Sequence, residues 1–159
     1  RSKMTIAIKP AAREQSPEIA EMVGQLLAEI MSRIDVKAFN FDRNQTAERL
    51  RRFLADQKYL VFVAEDAGKP VGFIALYESY ALYAEGAFGT IAELYVRPQY
   101  RSQGVGKKLI DRARELAAVK EWTRLEVTTP PLPQFERTLE FYGKEGFTIT
   151  GGRKLKAGL

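Results

Sequence analysis

A chain of 159 residues with 45% hydrophobic and 28% charged positions is long enough for one domain around one core and too apolar to stay disordered. It contains no cysteine and no histidine, which excludes disulfides, thiol nucleophiles, thiolate metal sites and a Ser-His-Asp triad. Proton transfer is left to Glu, Asp, Tyr, Lys, a terminus or water, and no metal is expected.

Arg1-Ser2-Lys3 ahead of Met4 reads as a cloning remnant, so the domain is expected to span residues 4–159. No apolar leader follows, and no apolar run approaches the roughly 18 residues of a membrane span, so a cytoplasmic protein without membrane partners is expected. The net charge of +5 comes from 25 basic residues set among 20 acidic ones. With no like-charge block, this reads as a mixed surface rather than a nucleic-acid stripe.

In chain order, Ser16-Pro17-Glu18 is a helix start. Behind it Ile19, Met22, Val23, Leu26, Leu27, Ile30, Met31 and Ile34 form one apolar stripe at helical spacing. A second helix is predicted from about Thr46 to Asp56. Tyr59 to Ala64 is a β-branched and aromatic strand, turned at Gly68, and Pro70 to Tyr77 returns as its hairpin partner. Glu78 to Gly89 reads as a looser connection into the strand Thr90–Val96, which Pro98 stops. Period two along that strand predicts Ile91, Glu93 and Tyr95 on one face and Ala92, Leu94 and Val96 on the other. A helix begins at Gly104, a strand covers Arg124–Thr128, and Pro130 to Pro133 breaks the pattern. A helix then runs from about Gln134 to Lys144, Gly146 ends it as a left-handed cap, and Phe147–Thr150 is a last strand.

The segment Arg101-Ser102-Gln103-Gly104-Val105-Gly106-Lys107 lies between a strand and a helix. Two glycines allow close backbone approach, and a helix start offers unpaired N–H donors and a positive dipole end. Lys107 and Lys108 add positive charge where the dipole disfavours it, which suggests an anionic ligand such as a pyrophosphate. A P-loop would need glycine at position 101, and a dinucleotide fingerprint would need a small residue at 109; Arg101 and Leu109 stand there. A plain strand-to-helix turn could use the same glycines.

The run Leu94 to Gly106 together with Leu139-Glu-Phe-Tyr142-Gly-Lys-Glu-Gly146-Phe147 resembles the GNAT acetyltransferase family. The first piece is similar to its acetyl-CoA motif and the second to its Tyr-x-x-x-Gly-Phe motif. The resemblance covers roughly Tyr59 to Thr150 and implies one α/β (α+β) domain. That domain would hold a mixed sheet of about six or seven strands, helices on both faces, and splayed central strands forming an acetyl-CoA cleft. It implies acetyl-CoA as co-substrate and an amine as acceptor. Leu94, Tyr95 and Val96 would hold pantetheine; the backbone from Gln103 through Gly104, Val105 and Gly106 to Lys107 would hold pyrophosphate. Arg101 would support the loop, in which Ser102 replaces the family's usual glycine. Tyr142 would be the general acid, although a tyrosine packed beside Phe141 and Phe147 fits the same sequence. Glu93 would act as a base, although an acid paired with a basic neighbour fits as well. Phe135 and Thr138 depart from the family pattern on the acceptor side.

For the acceptor, Asp42, Glu78 and Glu85 are candidate acids. Tyr77, Tyr80, Tyr83 and Phe88 would wall an acceptor pocket or form a homodimer patch. A small amine is the expected acceptor, a peptide N-terminus or lysine its rival. An acyl-CoA-sensing domain without turnover and a nucleic-acid binder are the other classes.

Overall fold

The structure is a computed structural model that describes residues 4–159; the suspected remnant at 1–3 lies outside the described residues. The chain divides into two compact units, one ending at Thr128 and one running from Thr129 to Leu159. No helix among the described residues is long and apolar enough to cross a membrane.

The first unit holds a five-stranded sheet in the order β1-β2-β3-β4-β5. Its strands are β1 (Ile6–Pro10), β2 (Leu60–Asp66), β3 (Lys69–Ala81), β4 (Gly86–Val96) and β5 (Leu125–Val127). All pairs are antiparallel except β4 with β5. The helices are α1 (Ser16–Ile34), α2 (Arg43–Ala55) and α3 (Val105–Lys120). Alternation sends Val61, Val63, Phe73, Ala75 and Tyr95 to one face, where they form a core with Ile19 and Met22 of α1 and Leu50 of α2. On the opposite face the Arg112 guanidinium of α3 lies 4.4 Å from the Phe62 ring centroid. Val105, Leu109, Ile110 and Ala113 of α3 are all buried.

Local chemistry explains two of these boundaries. Asp42 starts α2 three residues earlier than the apolar pattern predicts, because its carboxylate accepts from the Gln45 amide at 2.8 Å. The β2–β3 hairpin turns on Ala67 and Gly68, both at positive φ, as a two-residue turn between twisted strands requires.

Three expectations need correction. Among the described residues the sheet has five strands, not six or seven. Phe147–Thr150, read as a strand from its β-branched residues, lies outside every ladder, and Ile149 is 83% exposed; β-propensity makes no strand without a partner backbone. The supposedly loose stretch from Glu78 is a continuous hairpin: β3 runs to Ala81 and β4 starts at Gly86, with Tyr80 opposite Ala87 and Glu78 opposite Gly89. Ser79 and Thr90 tie it through their hydroxyls at 2.7 Å. The edge strand β1 adds to the sheet an element whose sequence signal was only the alternation of Ile6 and Ile8.

The second unit contains α4 (Glu136–Lys144). It ends as predicted: Gly146 takes φ 91° and the Phe147 amide donates back to the Tyr142 carbonyl at 3.0 Å.

Candidate functional site

Strand β4 organises the site in the first unit. Against β3, Glu93 stands opposite Ala75, but the next pair is Ile91 with Leu76. One residue, Ala92, is therefore extra on β4, a bulge that breaks period two. The expectation that Ile91 and Glu93 share a face is overturned. Glu93 joins Ala75 on the face covered by α1 and α2, whereas Ile91 follows Leu76 to the other face and is buried. Tyr95 remains on the Glu93 side, opposite Phe73.

The bulge coincides with the end of the β4–β5 ladder. That parallel pairing covers Gly89, Thr90 and Ile91 only. From Ala92 to Val96, β4 has a strand neighbour on its β3 side alone among the described residues. The Arg97 amide donates to the Val71 carbonyl at 2.8 Å. Antiparallel backbones alternate the edge they serve, so Leu94 turns its N–H and C=O and Val96 its N–H to the open edge, the Val96 carbonyl being held by Arg101. The Leu94 N–H and C=O and the Val96 N–H, spaced like those of a strand, face that edge and suit an extended ligand carrying amides of its own.

The open edge leads through Pro98–Tyr100, a single 3₁₀ turn, into the glycine loop. Arg101 braces the junction. Its Nε donates to the Val96 carbonyl at 2.8 Å, and its two terminal nitrogens reach the Glu29 carboxylate of α1 at 3.1 and 2.7 Å. The guanidinium also lies 5.3 Å from the Tyr95 ring centroid. Tyr95 itself is buried in the α1-facing core, so its side chain packs and only its backbone borders the edge. Ser102 holds φ 60° and Gly104 holds φ 84°; the first is strained for a residue with a Cβ, the second is free for glycine.

The start of α3 fits an anion. It has no side-chain cap and no acid in its first turn. The first ladder bond runs from the Lys108 amide to the Gly104 carbonyl at 3.1 Å, so the Val105 and Gly106 amides precede the ladder. Lys107, expected to add positive charge at this helix start, also has a partner of its own. Its Nζ lies 2.9 Å from Asp111 Oδ2, one turn along the helix, so the backbone carries the anion argument.

Glu93 has a partner that sequence reasoning missed. The Tyr59 hydroxyl donates to Glu93 Oε2 at 3.4 Å. Burial pushes the Glu93 carboxyl above the usual carboxylate range, and the Tyr59 hydrogen bond opposes this only in part. Burial also raises the Tyr59 phenol, with the Glu93 charge adding to the effect. Tyr59 was legible only as the first residue of a strand run, although it continues the period Val63, Val61, Tyr59 toward the same face. Glu29, the brace of Arg101, had no signal beyond its place in the first helix.

An open pocket of about 360 Å³ lies beside this pair, with Tyr59, Tyr77, Tyr80 and Phe53 among its walls. Of the candidate acids, Glu78 borders it and accepts hydrogen bonds from Tyr80 and the Trp122 indole. Those bonds, Tyr80 first, hold its carboxyl below the usual range. Asp42 is instead the cap of α2, and Glu85 sits at φ 60° in the β3–β4 turn. Phe88 is buried, and Arg124 lies over both Phe88 and the exposed Tyr83. The proposed aromatic cluster therefore divides, with Tyr77 and Tyr80 at the pocket and Tyr83 and Phe88 around Arg124.

In the second unit, Tyr142 is buried on α4 between Phe141 and Phe147, at centroid distances of 5.2 and 5.3 Å and steep ring angles. Burial raises its phenol above the ordinary value, so it holds its proton at neutral pH. Phe135, at the N-terminal end of α4, is buried as well.

Comparison with known proteins gives this geometry a family. Residues 57–149 match the acetyltransferase (GNAT) domain. Aminoglycoside N(6')-acetyltransferase type 1 of Stenotrophomonas maltophilia is 33% identical over 123 residues, 75% of this chain and 71% of that protein. Peptidyl-lysine N-acetyltransferase YjaB of Escherichia coli is 30% identical over 109 residues, 69% of this chain and 62% of that protein. A predicted acetyltransferase of Clostridium acetobutylicum, solved with acetyl-CoA, shares the fold with a TM-score of 0.77 over 96% of each chain at 15% identity. An open strand edge running into an uncapped glycine-led helix is thus accompanied by similarity across most of the chain, and the protein belongs to the GNAT family of N-acetyltransferases.

Proposed function

We propose that the protein transfers an acetyl group from acetyl-CoA to a primary amine of a small molecule, by direct attack in a ternary complex. The observation that carries this reading is β4, open at Leu94 and Val96 beyond the bulge and continuous with the start of α3. The main chain of Leu94, Tyr95 and Val96 pairs with the pantetheine arm. Amides from Gln103 to Lys107 take the pyrophosphate, on a loop shaped by Ser102, Gly104, Val105 and Gly106 and braced by Arg101. Residues 4–159 act as one domain, a reading supported by a family match that runs through residue 128.

Acetyl-CoA supplies an activated thioester carbonyl. Glu93, on the strand beside the open edge, accepts the proton that the amine loses as its nitrogen bonds to that carbonyl carbon. Tyr142 gives its phenolic proton to the sulfur as the carbon–sulfur bond breaks. A buried phenol with a raised pKa is protonated when needed, and a carboxylate with a raised pKa is a stronger base than an exposed one.

The small-molecule acceptor is supported by a pocket of about 360 Å³, within the range of small-ligand sites, and by likeness to an aminoglycoside acetyltransferase. Likeness to a peptidyl-lysine acetyltransferase favours a protein amine as the second reading. Release of CoA thiol across amino acids, polyamines, aminoglycosides and lysine peptides separates them: the reading requires the highest kcat/KM on a small amine. Faster turnover of peptides moves the assignment to the second reading. Acetyl-CoA binding without turnover of any amine makes the domain a sensor, and no thermal shift with acetyl-CoA removes the donor assignment.

A further inference from the structure

The pocket beside Glu93 is open because β3 outruns its neighbour. The β2–β3 ladder ends at the Leu60–Leu76 pair, while β3 continues against β4 to Ala81. Strand β2 has no residue to follow it, since the Lys58 and Tyr59 amides donate to the Phe53 carbonyl of α2 and Gln57 takes φ 56°. From Tyr77 to Ala81, β3 therefore has a strand on one side only among the described residues.

The backbone groups left on the bare side can be named. The Arg97 amide donates to the Val71 carbonyl, which turns Val71 toward β4, so period two along β3 turns Glu78 and Tyr80 away from it. The Gly89 amide donates to the Arg124 carbonyl; Gly89, opposite Glu78, thus serves β5 and leaves Glu78 facing outward. The N–H and C=O groups of Glu78 and Tyr80 line the edge. Edges of this kind are commonly blunted by lysine, proline or a bulge. Tyr77-Glu-Ser-Tyr-Ala81 holds no lysine or proline, and its register against β4 is regular. Tyr80 and the adjoining Leu82 are 74% and 99% exposed.

We infer that this edge pairs with the same edge of a second copy of the chain, antiparallel, about a two-fold axis beside Tyr80. Each Tyr80 then exchanges N–H and C=O bonds with Tyr80 of the second copy, and each Leu82 amide meets the Glu78 carbonyl opposite. Neighbouring registers fit less well. An axis at Glu78 sets the two carboxylates against each other. One at Ser79 drives Ala81 of the second copy toward Tyr77, whose ring is already stacked with that of Tyr59. One at Ala81 leaves Glu78 unpaired, because the chain turns away through Leu82–Ala84.

The charges agree with this pairing. Lys58 lines the notch at the end of β2, and Glu85 follows the turn that the second copy brings to that rim. Neither has an ion pair among the described residues, and the two-fold axis makes the Lys58–Glu85 contact twice. Such a contact closes on itself, so assembly stops at two. On the acetyltransferase reading, Leu82 and Tyr83 of the second copy complete the wall of the acceptor pocket; the interface itself does not depend on that reading.

Sedimentation velocity of the full chain over a hundredfold range of concentration should show monomer and dimer with nothing larger. Tyr80→Pro removes the central N–H, which faces away from β4 and so leaves the β3–β4 ladder intact; it should weaken the dimer at least tenfold. Lys58→Glu and Glu85→Lys should each weaken it several-fold, and the double variant should return to within about twofold of the parent chain. A chain that stays monomeric throughout, open-ended assemblies, a dimer indifferent to Tyr80→Pro, or a double variant no better than the singles would overturn the inference. Should Tyr80→Pro fail to fold, the charge exchange decides alone. A dimer that acetylates no amine keeps the interface and loses the enzymatic reading. An active enzyme that stays monomeric keeps its activity and loses the interface.

Discussion

Arg101 and Glu29, 72 residues apart in sequence, meet in a two-pronged ion pair with nitrogen–oxygen distances of 2.7 and 3.1 Å. The same guanidinium holds the Val96 carbonyl at the end of β4. The pair thereby fixes the far end of the open strand edge to α1 at the point where the glycine loop departs. Arg101 was readable as part of a motif, but its anchor was not.

Glu29→Gln should therefore loosen the loop more than it unfolds the protein. Both partners are a quarter to a third exposed, so solvent screening limits the loss of stability to about 1 kcal/mol. The KM for acetyl-CoA should rise several-fold, with a smaller change in the amine KM. Steady-state kinetics together with thermal denaturation measures both, and an unchanged acetyl-CoA KM would separate the brace from cofactor binding.

The Glu93 carboxyl is raised by burial, and the sign of its linkage follows. An acid whose folded pKa exceeds its unfolded pKa binds its proton more tightly when folded. Its contribution to stability is complete at pH below the unfolded value and is lost as pH rises through the folded value. Glu93→Gln should accordingly melt higher than the parent at pH 7, and the difference should shrink as pH falls toward 4. If Glu93 is the base, the acid limb of kcat/KM lies above the ordinary carboxylate range and vanishes in Glu93→Gln, whose deficit is greatest above that limb. Pre-steady-state acetylation and melting curves across pH 4–8 test both halves, and a limb that survives the substitution assigns the proton elsewhere.

Tyr59→Phe provides a finer test of the same carboxyl. Removing the one hydrogen bond that favours its ionised form should move the acid limb to higher pH, while Tyr59→Phe keeps the ring that packs on Phe53. A limb that stays in place would reduce Tyr59 to a packing residue.

Tyr142→Phe removes a hydroxyl and leaves the edge-on packing with Phe141 and Phe147. As a general acid, Tyr142 should cost roughly 10²-fold in kcat when lost, with the acetyl-CoA KM changed less than threefold. The deficit should shrink with acyl donors whose thiolates leave more readily, since these need less proton donation. Wild-type turnover in this variant would leave Tyr142 with packing alone.

Ser102 sits at φ 60° where the acetyl-CoA motif of the family usually has glycine. A non-glycine residue in that region carries about 1 kcal/mol of strain. Ser102→Gly relieves it but frees the unfolded chain, so the net gain in stability should be positive and below about 1 kcal/mol. Chemical denaturation at equilibrium measures it, and a loss on substitution would mean that the serine side chain repays its strain through contacts of its own.

Period and punctuation in the sequence determined the helices of α1 and α3, the β2–β3 hairpin and the glycine loop, because each rests on neighbours a few residues away. The acetyl-CoA motif was legible for the same reason, since a backbone anion site is local. The tertiary structure decided everything that depends on distant partners. Whether Phe147–Thr150 is a strand turns on a second backbone to pair with. Whether Glu93 shares a face with Ile91 turns on one extra residue in register against β3. Glu29 became a brace and Tyr59 a partner of Glu93 only through contacts spanning 72 and 34 positions. Such contacts leave no mark in a single sequence, because nothing in the spacing of either residue records where its partner will come to rest.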